Sequence, residues 1–178
     1  MDVSAFSSRF TVRLLSDHDV EAVYALCAGN PLFYRHCPPA VTRASILEDM
    51  QALPPGKTMA DKFYVGYFAG DTLVAVMDLI RDSPNPGIAF LGFFMTDRST
   101  QGQGLGSALI GELTACLAGL GYRSIRLGWV KGNPQSEHFW LKNGFQPLLT
   151  TKNNGPYEVV IGEKRLVSSP ETTPTLIE

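Results

Sequence analysis

The sequence predicts a mixed α/β fold, in which helices cover both faces of a central sheet of about seven strands. Segments with strand periodicity alternate with amphipathic helical segments in the order β α α β β β α β α β β. The strand–helix–strand unit at 88–130 requires a parallel pair, whereas short turns such as Gly70-Asp71 require antiparallel hairpins. A mixed sheet with helices on its faces satisfies both requirements.

The first half of the chain is predicted to contain two helices and four strands. Residues 10–15 (FTVRLL) alternate as a strand, and Ser16-Asp17 then supplies the polar cap and acidic first turn of a helix. Gly29-Asn30-Pro31 ends that helix, so the aromatic segment at 31–40 (PLFYRHCPPA) is predicted to be a loop. A second helix begins after Thr42. The next three strands are predicted at 62–70, 72–80 and 88–96. The last of them is almost entirely apolar and is expected to be buried on both faces.

The second half is predicted to add two helices and three strands. An apolar stripe over 105–120 indicates an amphipathic helix, and Asn133-Pro134 has the polar cap and first-turn proline of another. The strands are predicted at 124–130, 146–151 and 157–166. Residues 1–166 are therefore expected to form one domain, and the polar residues 167–178 a flexible C-terminal tail.

Composition argues against several classes of function. The net charge is −2 over 178 residues and there is no basic run, so we expect neither nucleic acid nor an anionic membrane as a partner. No apolar segment is long enough to span a bilayer, and the N-terminus lacks the pattern of a secretory signal. Three cysteines without C-x-x-C spacing favour a reducing, cytoplasmic location. Three scattered histidines predict no metal site.

The stretch QGQGLG at 101–106 places three glycines between an apolar strand and an amphipathic helix. Backbone N–H groups are unpaired at a helix N-terminus and the helix dipole is positive there, so this arrangement favours a bound anion. The dinucleotide pattern G-x-G-x-x-G is not met, because these glycines run G-x-G-x-G. A Walker A loop is not met at Gly56-Lys57-Thr58, since position 51 is Gln and the segment follows a helix.

The spacing Gln101-x-x-Gly104-x-Gly106 resembles the pyrophosphate-binding signature of the GCN5-related N-acetyltransferases, the GNAT superfamily. The resemblance extends to Asn133 with a small residue three positions later, and to FWLKNGF at 139–145. The order of elements also agrees along nearly the whole chain. The resemblance implies a GNAT-like acyltransferase fold with acetyl-CoA as the acyl donor. It also implies transfer of an acetyl group to a primary amine of a small molecule or peptide by direct attack.

The resemblance further implies where acetyl-CoA binds. The donor would lie between splayed parallel strands at 88–96 and 124–130, with its pyrophosphate on backbone N–H groups of 101–106. A main-chain N–H near the end of the first strand would stabilise the oxyanion of the reacting thioester. Asn133 would contact the cofactor arm, cap the following helix, or do both. The implied donor-binding residues are Phe93, Phe94, Met95, Gln101, Gly102, Gln103, Gly104, Leu105, Gly106, Ser107, Asn133 and Trp140.

Trp140 stands where many members of the family have a tyrosine that protonates the leaving thiolate. An indole N–H cannot take that role, so the acid is another group or solvent, or the thiolate leaves unaided. Tyr157, on the last hairpin, and Tyr34, in the aromatic segment, are candidate acids. Asp78, Asp97 and His36 are candidate bases. Asp78 interrupts an apolar strand and is expected either to face the cleft, with a raised pKa, or to face solvent.

The acceptor side of this fold is built by the first two helices and their connection. In that connection, Tyr34 and Arg35 predict an aromatic pocket with a guanidinium available for a carboxylate. Two alternatives remain open: a sensor that binds acyl-CoA without turnover, and an interaction domain without a ligand. The sequence also leaves the oligomeric state open, a homodimer included.

Overall fold

One seven-stranded sheet organises the residues that the computed structural model describes, 1–154 and 157–166. The predicted tail at 167–178 lies outside these residues. The strands are β1 (Thr11–Leu14), β2 (Lys62–Ala69), β3 (Thr72–Ile80), β4 (Ile88–Thr96), β5 (Ser124–Val130), β6 (Gln146–Asn154) and β7 (Tyr157–Arg165). Their order across the sheet is β1-β2-β3-β4-β5-β7-β6.

The sheet opens between its two parallel strands. Neighbouring strands are antiparallel except β4 and β5, whose ladder runs only from the Ile88–Ser124 pair to the Leu91–Leu127 pair. Beyond these pairs the C-terminal halves of β4 and β5 are not hydrogen-bonded to each other. The gap that the family resemblance implied is therefore present.

A bulge in β4 lies where the two strands separate. On β3, Asp78 pairs with Phe93 and the next residue, Leu79, pairs with Leu91, which leaves Gly92 as the extra residue. An isolated glycine within a strand is typical of a bulge, and a bulge bends its strand and increases the local twist. The bulge thus directs the second half of β4 away from β5.

Helices cover both faces of the sheet, as predicted. They are α1 (Val20–Ala28), α2 (Pro31–His36), α3 (Arg43–Gln51), α4 (Leu105–Gly119) and α5 (Pro134–Lys142). Single 3-10 turns lie at Val3–Phe6, Asp17–Asp19, Met59–Asp61 and Arg98–Thr100. One core packs α4 and α5 on the sheet around Leu113 and Trp140, and the other packs α1 and α3 around Val23 and Ile46. Each fully buried side chain of this size contributes about 1.5–3 kcal/mol to folding.

Two expectations about local structure are wrong. The segment at 31–40 is not all loop, because α2 occupies six of its residues. Asn30 and Pro31 take the N-cap and first helical positions of α2, as Asn133 and Pro134 do for α5. Likewise, β4 is buried on both faces only near its start, since Gly92 and the two residues after it are partly exposed beside the gap.

Candidate functional site

A cleft of about 1020 Å³ opens where β4 and β5 separate. Its walls are the diverging strand ends, the glycine loop at 101–106, α5 with its N-cap, α2 and the start of β7. The cleft runs without interruption from the N-terminus of α4 to α2. A ligand bound along it would contact both the glycine loop and α2.

The glycine loop presents a row of unpartnered backbone N–H groups. From Gly102 to Ser107, no backbone N–H makes a hydrogen bond of ordinary geometry within the described residues. The first helical bond of α4 runs from Ala108 N to Gly104 O, at 3.0 Å. Gly102 and Gly104 have φ of +76° and +81°, and a Cβ on either would meet nothing within 4 Å. This open space beside free donors suits an anion.

The third glycine of the motif has a different role. A Cβ on Gly106 would lie 3.1 Å from the ring of Phe139, so Gly106 allows α4 and α5 to approach each other closely. The Phe139 ring lies 4.8 Å from that of Trp140 and 6.2 Å from that of Phe94, between centroids. Two glycines therefore leave open space beside the loop N–H groups, and one serves the packing that supports the loop.

The side chain of Gln101 is bound to a neighbouring element and is turned away from the loop N–H groups. Its amide donates to Asn30 Oδ1 and, more weakly, to Thr96 O at 3.4 Å. Asn30 is 7% exposed and donates to Leu26 O at 2.9 Å and Thr96 O at 3.2 Å. One buried amide thus joins the ends of α1 and β4 to the glycine loop. Sequence reasoning missed Asn30, because Asn-Pro indicates only a helix boundary.

Trp140 and Asn133 both border the cleft and both have structural contacts. Trp140 is 8% exposed, with its ring 5.2 Å from that of Phe145, so it packs as a core aromatic. The Asn133 side chain accepts the backbone N–H of Ser136 at 3.2 Å and caps α5. Contact of either residue with the donor stays a prediction.

Tyr157 is the candidate acid that borders the cleft. Its hydroxyl lies 3.2 Å from Sγ of Cys37, a residue at the end of α2 that also borders the cleft. The hydrogen bond with Cys37, with burial as a second cause, raises the pKa of Tyr157 to about 12. The phenol therefore keeps its proton at neutral pH. The sequence carried no signal that pairs Cys37 with Tyr157.

Asp78 faces neither the cleft nor solvent, so both expected positions are wrong. Its Oδ2 accepts a hydrogen bond from Lys62 Nζ at 2.8 Å, and the side chains of Asp78 and Lys62 are 14% and 1% exposed. Burial raises the pKa of the Asp78 carboxyl, while Lys62 acts in the opposite direction. The carboxylate is held in the interior because β2 brings a buried cation beside it.

The other predicted residues divide between the cleft and its surroundings. Arg35 borders the cleft and is exposed, whereas His36 and Tyr34 are half-buried and do not border it. Burial raises the pKa of Tyr34. Gln103 does not border the cleft either, and its side chain donates to Ser99 O at 2.8 Å. The remaining implied donor-binding residues all border it: Phe93, Phe94, Met95, Gln101, Gly102, Gly104, Leu105, Gly106, Ser107, Asn133 and Trp140.

The part of the chain that the structure describes has neither a membrane-spanning helix nor a cluster of metal ligands. None of its helices has both the length and the apolar composition needed to cross a membrane. No three of its His, Cys, Asp or Glu side chains cluster as metal ligands.

Comparison with known proteins identifies the family. No curated protein has significant similarity to this sequence. Among solved structures, an acetyltransferase from Thermus thermophilus has a TM-score of 0.71 at 20% identity, covering 89% of this chain and 99% of that one. The ribosomal-protein-S18-alanine N-acetyltransferase of Escherichia coli has a TM-score of 0.65 at 17% identity, covering 91% and 97%. The PaiA N-acetyltransferase of Thermoplasma acidophilum, solved in complex with coenzyme A, has a TM-score of 0.63 at 21% identity, covering 86% and 97%.

These similarities show the fold, and a family model extends them to the sequence. The model of the acetyltransferase (GNAT) family matches residues 31–145, which is more than half of the chain. The match includes the glycine loop, β4, β5 and the cleft between them. The chain therefore belongs to the acetyltransferase (GNAT) family, for which acetyl-CoA is the acyl donor.

Proposed function

We propose that the protein transfers the acetyl group of acetyl-CoA to a primary amine of a small molecule or peptide by direct attack. One observation carries this proposal. The β4–β5 ladder ends at the Leu91–Leu127 pair, and the strand ends that it leaves unpaired share one cleft with the N–H groups of 102–107. A phosphate site and free strand backbone on one path fit a ligand with a pyrophosphate and an amide-bearing arm.

The charge of the cleft also fits this donor. No Asp or Glu borders the cleft among the described residues, whereas Arg98 borders it beside the glycine loop. Coenzyme A is a polyanion, and a cleft of one sign concentrates a ligand of the opposite sign. The N–H groups of 102–107 would bind the pyrophosphate, and the free backbone of β4 would pair with the pantetheine amides. A main-chain N–H near Phe94 or Met95 would bind the thioester oxygen as it gains charge.

Acetyl transfer forms one bond and breaks another. The amine nitrogen bonds to the acetyl carbon, the carbon–sulfur bond breaks, sulfur leaves with the electron pair, and the amine loses one proton. We assign Tyr157 the role of hydrogen-bond donor to the departing sulfur, because its phenol borders the cleft and stays protonated. A free amine of pKa near 10 must first lose a proton, and solvent in the open cleft would accept it.

The test is an assay for amine-dependent release of coenzyme A thiol, with calorimetric binding of desulfo-CoA measured on the same preparation. The proposal expects desulfo-CoA to bind and thiol release to depend on an added primary amine. Folded protein that binds no desulfo-CoA would refute it.

The second candidate function, a sensor that binds acyl-CoA without turnover, rests on Trp140. This residue takes the place of the usual phenol and is packed into the core. Binding of desulfo-CoA without thiol release for any primary amine would favour the sensor over the enzyme.

A further inference from the structure

Helix α2 forms one wall of the cleft, starting beside the glycine loop, and we take the part of the cleft between Phe33 and Cys37 as the acceptor end. Phe33 on α2 has its ring 5.8 Å from that of Phe93 on β4. One turn later, Cys37 lies 3.2 Å from the hydroxyl of Tyr157 on β7. The short helix therefore spans the gap between the separated strands, with one contact on each side. This assignment rests on the function proposed above.

The acceptor end contains aromatic and apolar side chains and one free cation. Leu32, Phe33, Phe93 and Tyr157 border the cleft there, together with Arg35. Within the described residues Arg35 forms no salt bridge, although five other arginines do: Arg9, Arg13, Arg43, Arg81 and Arg126. An exposed, unpaired guanidinium beside an aromatic wall suits a planar anion, because it can bind a carboxylate through two parallel hydrogen bonds.

Among the described residues no carboxylate borders the cleft, so none of them offers an anion there to a positively charged acceptor. Three acidic residues outside the cleft have partners: Asp78 pairs with Lys62, Glu158 pairs with Lys131, and Asp97 accepts hydrogen bonds from Ser99. Polyamines and strongly basic peptides would therefore bind without electrostatic compensation.

We propose that the acceptor is a small primary amine that carries a carboxylate, namely an amino acid with an apolar or aromatic side chain, and that Arg35 binds its carboxylate. The side chain would contact Phe33 and Phe93, and the amino group would point towards the thioester. Arg98 and Lys142, which also border the cleft, would bind the phosphates of the donor.

The test compares acceptors that differ only in the carboxylate. Acetylation of phenylalanine, phenethylamine and spermidine would be measured with wild type, Arg35→Gln and Arg35→Lys. Arg165→Gln is the matched control, because Arg165 is an exposed arginine paired with Ser124 at the far end of β5 from the cleft. Desulfo-CoA binding would be measured on every variant, and the other natural amino acids would be screened on wild type.

We expect the kcat/KM of wild type to be at least about 10-fold higher for phenylalanine than for phenethylamine. This is the contribution of a hydrogen bond between charged groups, here Arg35 and the carboxylate. Arg35→Gln should remove this preference by lowering kcat/KM for phenylalanine alone. Arg35→Lys should keep part of the preference, and Arg165→Gln should leave both kcat/KM values unchanged. Preference for phenethylamine or spermidine would overturn the proposal, as would an unchanged ratio in Arg35→Gln. So would normal desulfo-CoA binding with no natural amino acid acetylated. If folded wild type binds no desulfo-CoA, the proposed function itself is refuted.

Discussion

Replacing Asp78 with Asn should destabilise the protein strongly, because it leaves Lys62 charged and buried. Lys62 Nζ has two hydrogen-bond acceptors, Asp78 Oδ2 at 2.8 Å and Ala52 O at 2.9 Å, and its side chain is 1% exposed. Removing one partner of a buried ion pair typically costs about 3–5 kcal/mol. We therefore expect Asp78→Asn to lower the free energy of unfolding by about that amount.

The double variant Lys62→Met/Asp78→Asn tests the cause of this loss. With neither charge buried, most of the electrostatic penalty disappears and the apolar stem of Lys62 is kept. We expect the loss of the double variant to fall short of the sum of the two single variants by at least about 2 kcal/mol. Urea unfolding followed by tryptophan fluorescence gives the three values, since Trp129 and Trp140 are both buried. Additive losses would refute the ion pair as the source of the effect.

The same double variant decides whether Asp78 takes part in catalysis. A general base contributes typically 10²–10⁴-fold to the rate. Asp78 lies behind the bulge, where a Cβ on Gly92 would be 2.9 Å from its Oδ2, and it does not border the cleft. We expect the folded double variant to keep its acetyl-transfer rate within about one order of magnitude, well inside the range of a lost base. A fall of about 10³-fold would assign Asp78 the role of base.

Three further predictions concern other parts of the molecule. Asn30→Ala should lower the free energy of unfolding by about 1–3 kcal/mol and weaken desulfo-CoA binding, because Gln101 and Thr96 O lose their shared partner. An unchanged calorimetric affinity for desulfo-CoA would exclude a role of Asn30 in positioning the loop. Tyr157→Phe should lower kcat by at least about 10-fold at constant KM, and equal kcat in both proteins would remove Tyr157 from the mechanism. The pKa of Asp61 is lowered to about 2, chiefly by the backbone N–H of Thr58. The carboxylate of Asp61 therefore stabilises the fold above the ordinary aspartate pKa, and this contribution is lost as pH falls from about 4 to 2. An NMR titration that gives Asp61 a pKa near 4 would contradict this prediction.

Local patterns predicted the elements of the fold because the forces that form them are local. The stripe of α4 repeats every three to four residues, and four of its residues, Leu109, Ile110, Leu113 and Leu117, are buried. The caps Thr42 and Asn133 each accept a backbone N–H three residues later. The glycine motif was likewise predicted correctly to lie between a strand and a helix, which are β4 and α4.

The hydrogen-bond partners of polar side chains could not be predicted, because they are distant in the chain. Gln101 is 71 residues from Asn30, and Asp78 is 16 residues from Lys62 on the neighbouring strand. No local pattern distinguishes an amide that faces phosphate from one that faces a buried asparagine. The pairing of Lys62 with Asp78 depends on the register of β2 and β3, which a single sequence specifies only weakly.

Helix α2 was missed for a related reason. It has six residues, none of them buried, so it carries no apolar stripe of its own. Its position depends on Phe33 against β4 and on Cys37 against β7, which are contacts of the completed fold. The Asn30-Pro31 pair was the available signal, and it indicates the end of one helix as readily as the start of the next.

Calorimetric titration of desulfo-CoA into wild type, Gly104→Val and Gly121→Val tests the central claim, that the glycine loop binds the donor pyrophosphate. Gly104 and Gly121 have φ of +81° and +83°, and a Cβ on either meets nothing within 4 Å, so both variants carry the same backbone strain. Only Gly104 borders the cleft. We predict micromolar binding by wild type and Gly121→Val, and at least about 100-fold weaker binding by folded Gly104→Val. Equal affinity in the two variants, or no binding by wild type, would contradict the claim.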